Sequence, residues 1–226
     1  MNRILFSKTG MAKYISHLDL MRTMQRAMLR AGFELKHTQG FNPHPHMVFA
    51  LPLPVGCESA CELMDFELVH EKTDAEITEC LNRCLPDGIH VTDAYAPERK
   101  FKELAFVGMK IVYKYDAGVN DTVSDALSGL FKRDSLAVTK KTKKGFADVD
   151  ILPMINDIRV NITDSDSVTV ETVIAAQEPS LNPLLITAAI RKYMPDTLSD
   201  TVGDALPDAV SYYRKEVYDK QMKIFR

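Results

Sequence analysis

Apolar and polar positions alternate over Asn2–Lys8, which predicts a strand closed by Thr9-Gly10. Ser16-His17-Leu18-Asp19 has the form of a helix start: the Ser16 hydroxyl can accept the Asp19 amide while that carboxylate reaches back to the Ser16 amide. Leu20, Met24, Ala27, Met28 and Ala31 then recur at helical spacing on one face, and Gly32 suits a left-handed C′ position. The pattern predicts a helix over about 17–31. Strands are expected near 47–55 and 61–69, joined by a turn over 56–60, with Pro52 and Pro54 marking an edge or strand end. Thr73-Asp74-Ala75-Glu76 is a second capping box, followed by inward Ile77, Leu81 and Leu85, a stop at Pro86-Asp87-Gly88 and a strand near 89–95. The order β-α-β-β-α-β is that of the split βαβ.

The second half repeats this order. A strand is expected near 104–115, then a helix near 121–132 with Val123, Leu127, Leu130 and Phe131 on one face. Strands near 135–140 and 146–151 form an extra hairpin, and a second hairpin of about 156–163 and 167–176 turns at Asp164-Ser165-Asp166. Asn182-Pro183 opens a helix through about 193, ended by Pro195, and a last strand lies near 209–218. The expected fold class is α+β: two tandem ferredoxin-like (split βαβ) domains, with antiparallel sheets and helices on one face. Their bounds are 1–97, carrying a His/Pro-rich loop at 37–46, and 103–226, carrying the basic hairpin 135–151, with a linker near 96–103.

Composition agrees with this. A chain of 226 residues, 46% hydrophobic and 26% charged, is long enough for two compact domains of about 100 residues each. No apolar run approaches the roughly 20 residues needed to cross a bilayer, and the N-terminus lacks a signal-peptide apolar region, so a cytoplasmic location without membrane contact is expected. Cysteines at 57, 61, 80 and 84 form two C-x₃-C pairs. That is neither zinc-ribbon nor iron–sulfur spacing, and reduced thiols are expected. Charge is uneven: residues 1–50 hold seven Lys/Arg against two acids, while residues 51–98 hold two bases against eleven acids. Such asymmetry suggests a basic face and an acidic face.

Candidate chemistry gathers at His37–His46. Two prolines fix φ there, Gly40 can take φ > 0, and three imidazoles fall within ten residues, so the segment reads as a rigid loop presenting polar groups. Gln39, Gly40, Phe41, Asn42, His44 and His46 are the candidate ligand-binding residues, and His17, Gln39, Asn42 and His44 are expected to converge on one cleft. His17, Asp19 and His44 are candidate catalytic groups, and with His37 and His46 they offer ligands for zinc or iron only if the loop folds over the helix start. No spacing matches a strong metal motif and no nucleotide fingerprint surrounds Gly40, so neither metal nor cofactor is expected. Arg22, Arg26 and Arg30 repeat every fourth residue with no acid between positions 20 and 33, which reads either as a solvated face or as a phosphate-binding stripe. Lys140, Lys141, Lys143 and Lys144 with Phe146 read either as a lysine-protected hairpin tip or as a polyanion contact with a base-stacking ring.

Phe6-Ser7-Lys8, Tyr14-Ile15-Ser16-His17-Leu18-Asp19, Gln39-Gly40-Phe41-Asn42-Pro43-His44-Pro45 and Leu53-Pro54-Val55-Gly56 carry a resemblance to the bacterial radical-SAM-linked family of unknown function. The resemblance covers nearly the whole chain and is strongest over 1–70; Thr38 stands where a serine is expected. In that family the domain is fused to, or encoded beside, a radical SAM protein, often near ribonuclease G and ribosomal-protein genes. The resemblance therefore implies an accessory role around RNA or ribosome-related modification, with a radical SAM protein as partner and RNA as a possible second one. The chain has no radical SAM cysteine triplet, so such chemistry would sit on the partner. The alternative is a metal-assisted hydrolase, or another enzyme, using His17, Asp19, His44 and His46.

Overall fold

A computed structural model describes residues 1–142, 145–198 and 206–226. Among them it is a mixed α/β protein with four α-helices and mostly antiparallel strands. The chain divides into two compact units. The first comprises Met1–Glu103 with Arg214–Glu216 and Ile224–Arg226; the second comprises Leu104–Tyr213 with Val217–Lys223.

The first unit contains β1 (Asn2–Lys8), a 3-10 turn (Gly10–Tyr14), α1 (His17–Arg30), β2 (Met47–Phe49), β3 (Cys57–Phe66), α2 (Asp74–Cys84) and β4 (Ile89–Tyr95). Antiparallel pairs Arg3↔Tyr95, Asn2↔Phe66 and Met47↔Phe66 set the order β4-β1-β3-β2. Helical spacing brings Leu20, Met24, Ala27 and Met28 of α1, with Ile77 and Leu81 of α2, into one core with Ile4, Phe6, Met64, Phe66 and Val91. Thr73 and Glu76 form the reciprocal capping box that the sequence predicts. At α1 the Asp19 amide does donate to the Ser16 hydroxyl, at 3.2 Å, but the Asp19 carboxylate takes the Ser16 hydroxyl, at 2.7 Å, in place of the amide. Gly88, in the turn between α2 and β4, has φ +85°, and a Cβ there would collide with the Thr9 carbonyl oxygen. Only glycine lets the two backbones approach closely enough for the Thr9 amide to donate to the Gly88 carbonyl, at 2.8 Å.

Three boundaries differ from expectation, the simplest being that β3 ends at Phe66 and not near 69. β2 stops at Phe49, because the run that follows holds Pro52 and Pro54, which have no amide to donate to a ladder. β3 begins at Cys57, and residues 57–60, expected as a turn, are strand. Lys8 pairs with Ser59 across β1, so tertiary pairing outweighs the weak strand propensity of Ser and Ala there.

The second unit contains β5 (Leu104–Lys114), α3 (Asp121–Leu130), β6 (Ala137–Thr142), β7 (Gly145–Asp150), β8 (Ile155–Asp164), β9 (Ser167–Ala175), α4 (Leu184–Leu198) and residues of β10 (Ala209–Asp219). β5 and β8 both pair antiparallel with β9, and β10 lies beside β5. Alternate residues Val107, Met109, Ile111 and Tyr113 of β5 are buried, as a half-buried strand requires. The helices contribute Val123, Leu127 and Leu130 from α3 and Ile186, Ala189, Ile190 and Met194 from α4. β6 and β7 form a separate two-stranded sheet. Asn182 caps α4 through its side chain, 3.0 Å from the Leu184 amide. The expectation that Pro195 ends this helix is corrected: α4 runs on to Leu198, because a proline inside a helix removes one donor without closing off the turns around it.

Candidate functional site

The loop at 37–46 is stapled at its base. His37 bridges Pro45, the Thr38 amide donates to the His44 carbonyl at 2.8 Å, and the His44 amide donates to the Thr38 hydroxyl at 3.2 Å. His44 Nδ1 stands 3.1 Å from that hydroxyl and 3.3 Å from the Asn42 carbonyl oxygen, and its Nε2 has no bond among the described residues. Below the staple, the His46 amide donates to the Lys36 carbonyl, and His46 Nδ1 lies 3.0 Å from the Glu67 carboxylate, which also accepts from Lys36 at 3.3 Å. The Lys36 bond, then its charge with that of His46, holds the Glu67 carboxyl below its usual range. This frame leaves Gln39, Gly40, Phe41 and Asn42 as an exposed tip. Gly40 has φ +142°, a conformation that a side chain disfavours. Phe41 is wholly solvent-exposed.

His17 sets its ring edge-on to Phe49, with centroids 5.4 Å apart. No hydrogen bond or ring contact among the described residues joins it to Gln39, Asn42 or His44. Asp19 is occupied by the Ser16 hydroxyl and by Arg22, and these two partners, in that order, hold its carboxyl below its usual range. Among the described residues no three His, Cys, Asp or Glu groups stand together as ligands for a metal ion.

The arginine stripe is not free of partners, as its spacing suggested. Arg22 donates to Asp19 at 3.0 Å, since that acid sits one turn before it on the same face. Arg30 donates to the Cys84 carbonyl at 2.6 Å, serving the open end of α2. Arg26 is exposed and has no partner among the described residues. On the second-unit hairpin, Lys141 stands directly across from Phe146 and Lys140 across from Ala147. Phe146 is 77% exposed. Lys143 and Lys144 lie outside the described residues.

One group of polar residues was missed by sequence reasoning. Lys8 is buried, and its ammonium donates to the carbonyls of Ile15 at 2.9 Å and Lys13 at 3.2 Å, holding the 3-10 turn against β1. The Lys13 carbonyl also accepts from the Gly56 amide, at 2.9 Å, and Glu58 accepts from the Gly10 amide, at 2.8 Å. Nearby, Arg214 donates to Glu62 at 2.7 Å and to the Leu51 and Pro52 carbonyls at 3.3 Å, all within the first unit. Burial lowers the Lys8 pKa, and it pushes the Cys57 thiol up to about 11 and the Cys61 thiol up to about 12. The signal was the alternation itself, since Ile4, Phe6 and Lys8 share one parity in β1. Three of the stretches that carry the family resemblance, at 6–8, 14–19 and 53–56, therefore meet residues of this corner.

These observations define a class: a mixed α/β protein with a stapled, aromatic-tipped loop on one unit and a basic, aromatic hairpin on the other. The chain belongs to a family described as an uncharacterized protein conserved in bacteria (DUF2344), whose family model matches residues 2–183. No curated protein matches the chain. No helix among the described residues is long and apolar enough to cross a membrane.

Proposed function

We propose that this protein is a non-catalytic accessory factor that binds RNA in the cytoplasm and works with a radical SAM partner in RNA or ribosome-related modification. The observation that carries RNA binding is the hairpin, where an exposed Phe146 ring has Lys141 directly across the strand pair, with Lys140 one position on. A nucleobase can stack on such a ring while an ammonium meets the adjoining phosphate. Arg26 and the Phe41-tipped loop offer the same two chemistries on the first unit. The radical SAM partner rests on the sequence resemblance alone. The hydrolase alternative has no observation in its favour, since His17, Asp19, His44 and His46 each contact different groups. The orders β4-β1-β3-β2 and β10-β5-β9-β8 support the finer reading of two tandem ferredoxin-like domains.

The test is binding of a single-stranded RNA across a salt series by the full chain. Replacing Lys140 and Lys141 by glutamine is expected to reduce the slope of log K against log salt by about 0.7 for each phosphate that is no longer neutralised. No binding near about 50 mM salt, where such interactions are strongest, overturns the proposal. Co-purification of a radical SAM protein with the chain from its native cell tests the partner.

A further inference from the structure

In the second unit, α4 and β10 enclose a groove of about 420 Å³ lined by Leu184, Thr187, Ala188, Arg191, Val210 and Tyr212. The four helix residues follow the i, i+3, i+4, i+7 spacing of one face, and the two strand residues share one parity. The volume lies in the range of small-molecule sites, about 300–1,000 Å³. All six of these lining residues lie beyond residues 2–183, where the family match ends.

Its base has one hydroxyl proton too many. Tyr212 donates to the Thr187 Oγ1 at 2.6 Å, and the Tyr113 hydroxyl lies 3.0 Å from the same oxygen. Tyr113 is sealed from solvent, and Thr187 is the one hydrogen-bond partner of its hydroxyl among the described residues. Either hydroxyl of this pair can be the donor, and burial keeps the Tyr113 phenol protonated and able to donate to Thr187. When Tyr113 donates, both lone pairs of Thr187 are occupied and the Thr187 proton is the one left over. Thr78 of α2 disposes of the same proton on the Asp74 carbonyl one turn back, at 2.9 Å. Thr187 makes no such bond among the described residues, although it is only 5% exposed. A buried donor without an acceptor is unfavourable, so an acceptor in the groove would favour the arrangement in which both tyrosines donate to Thr187 and Thr187 donates outward. One turn further on, Arg191 presents an exposed guanidinium with no partner among the described residues.

We propose that this groove binds a small organic anion. One anionic oxygen accepts from Thr187 and Arg191, and the apolar or aromatic body of the ligand lies against Leu184, Ala188 and Val210. Carboxylates and phosphate monoesters share this chemistry, so both serve as probes: benzoate and phenyl phosphate, with benzyl alcohol as the uncharged control. Each is titrated into the full chain while the amide signals of residues 187, 191 and 212 are followed by NMR.

Saturable shifts at those three positions are expected with at least one anion, and the tighter of the two identifies the preferred headgroup. Arg191→Gln should weaken that anion about tenfold, as expected for removal of a charge-assisted hydrogen bond, and leave benzyl alcohol unchanged. Thr187→Val keeps the shape and removes the donor; it should weaken the anion while unperturbed amide spectra elsewhere report an intact fold. Absence of saturable shifts with either anion up to about 10 mM, well above the Kd of even a weak millimolar site, overturns the proposal. So does an Arg191→Gln variant that binds the anion as well as the parent chain.

Discussion

The buried cations of the first unit and the exposed cations of the α1 face and the second-unit hairpin are the same residue types put to opposite uses. Arg3 is sealed within the first unit: it grips Asp65 through two bonds of 2.6 and 2.9 Å, donates to the Arg99 carbonyl and stacks on Phe101 at 4.2 Å. Arg214 is likewise held by Glu62, and Lys8 by two carbonyls. Charges removed from water persist only where the fold supplies oxygens, so these residues fasten strands, a turn and a loop together. Arg26 and Lys141 stand in water, and nothing in the fold's stability requires them. The difference teaches that charge alone does not mark a binding surface; charge left unused by the fold does.

The largest effect should come from breaking a buried pair. Glu62→Ala leaves the Arg214 guanidinium uncompensated and should cost about 3–5 kcal/mol of unfolding free energy in denaturant titration. Arg26→Gln, by contrast, should change stability by less than about 0.5 kcal/mol. If both variants unfold at the same denaturant concentration, the distinction between the two sets of cations collapses.

Thiol reactivity sharpens the same contrast between interior and surface. A thiol with a pKa of about 11 carries about a hundredfold less thiolate at pH 8 than one at its ordinary value. In the native protein Cys57 and Cys61 should therefore resist alkylation while the half-buried Cys80 and Cys84 react, as peptide mass spectrometry would show. Rapid labelling of all four at equal rates would mean that the interior around Lys8 and Arg214 is open to water.

Phe146→Ala should weaken single-stranded RNA binding by about 1–3 kcal/mol, the usual value of one base stacked on an aromatic ring. The smallest signal is the pH dependence of Lys8. Its folded pKa lies below its unfolded value of about 10.5, so between the two the unfolded chain binds more protons and stability rises with pH. Relative to Lys8→Met, the parent chain should gain stability as pH climbs towards the unfolded lysine pKa, as measured by paired denaturant titrations. A gain towards lower pH would show that Lys8 is stabilised in its charged form.

Local pattern by itself determined the elements. The apolar stripe of α1, the capping box at Thr73, the alternation of β5 and the hairpin turning at residues 164–166 are all encoded within a few residues, where spacing and side-chain chemistry act directly. The same local logic exposed the loop at 37–46 and the lysine hairpin as unusual. Partnership was decided by tertiary structure. That Lys8 reaches Ile15, that residues 57–60 pair with β1, that Arg30 serves the end of α2, and that two tyrosines converge on Thr187 all depend on which elements become neighbours. Such pairings join residues as far apart as Tyr113 and Thr187, and no periodicity carries that information, because burial and hydrogen bonding across the core are set by the packing of whole elements.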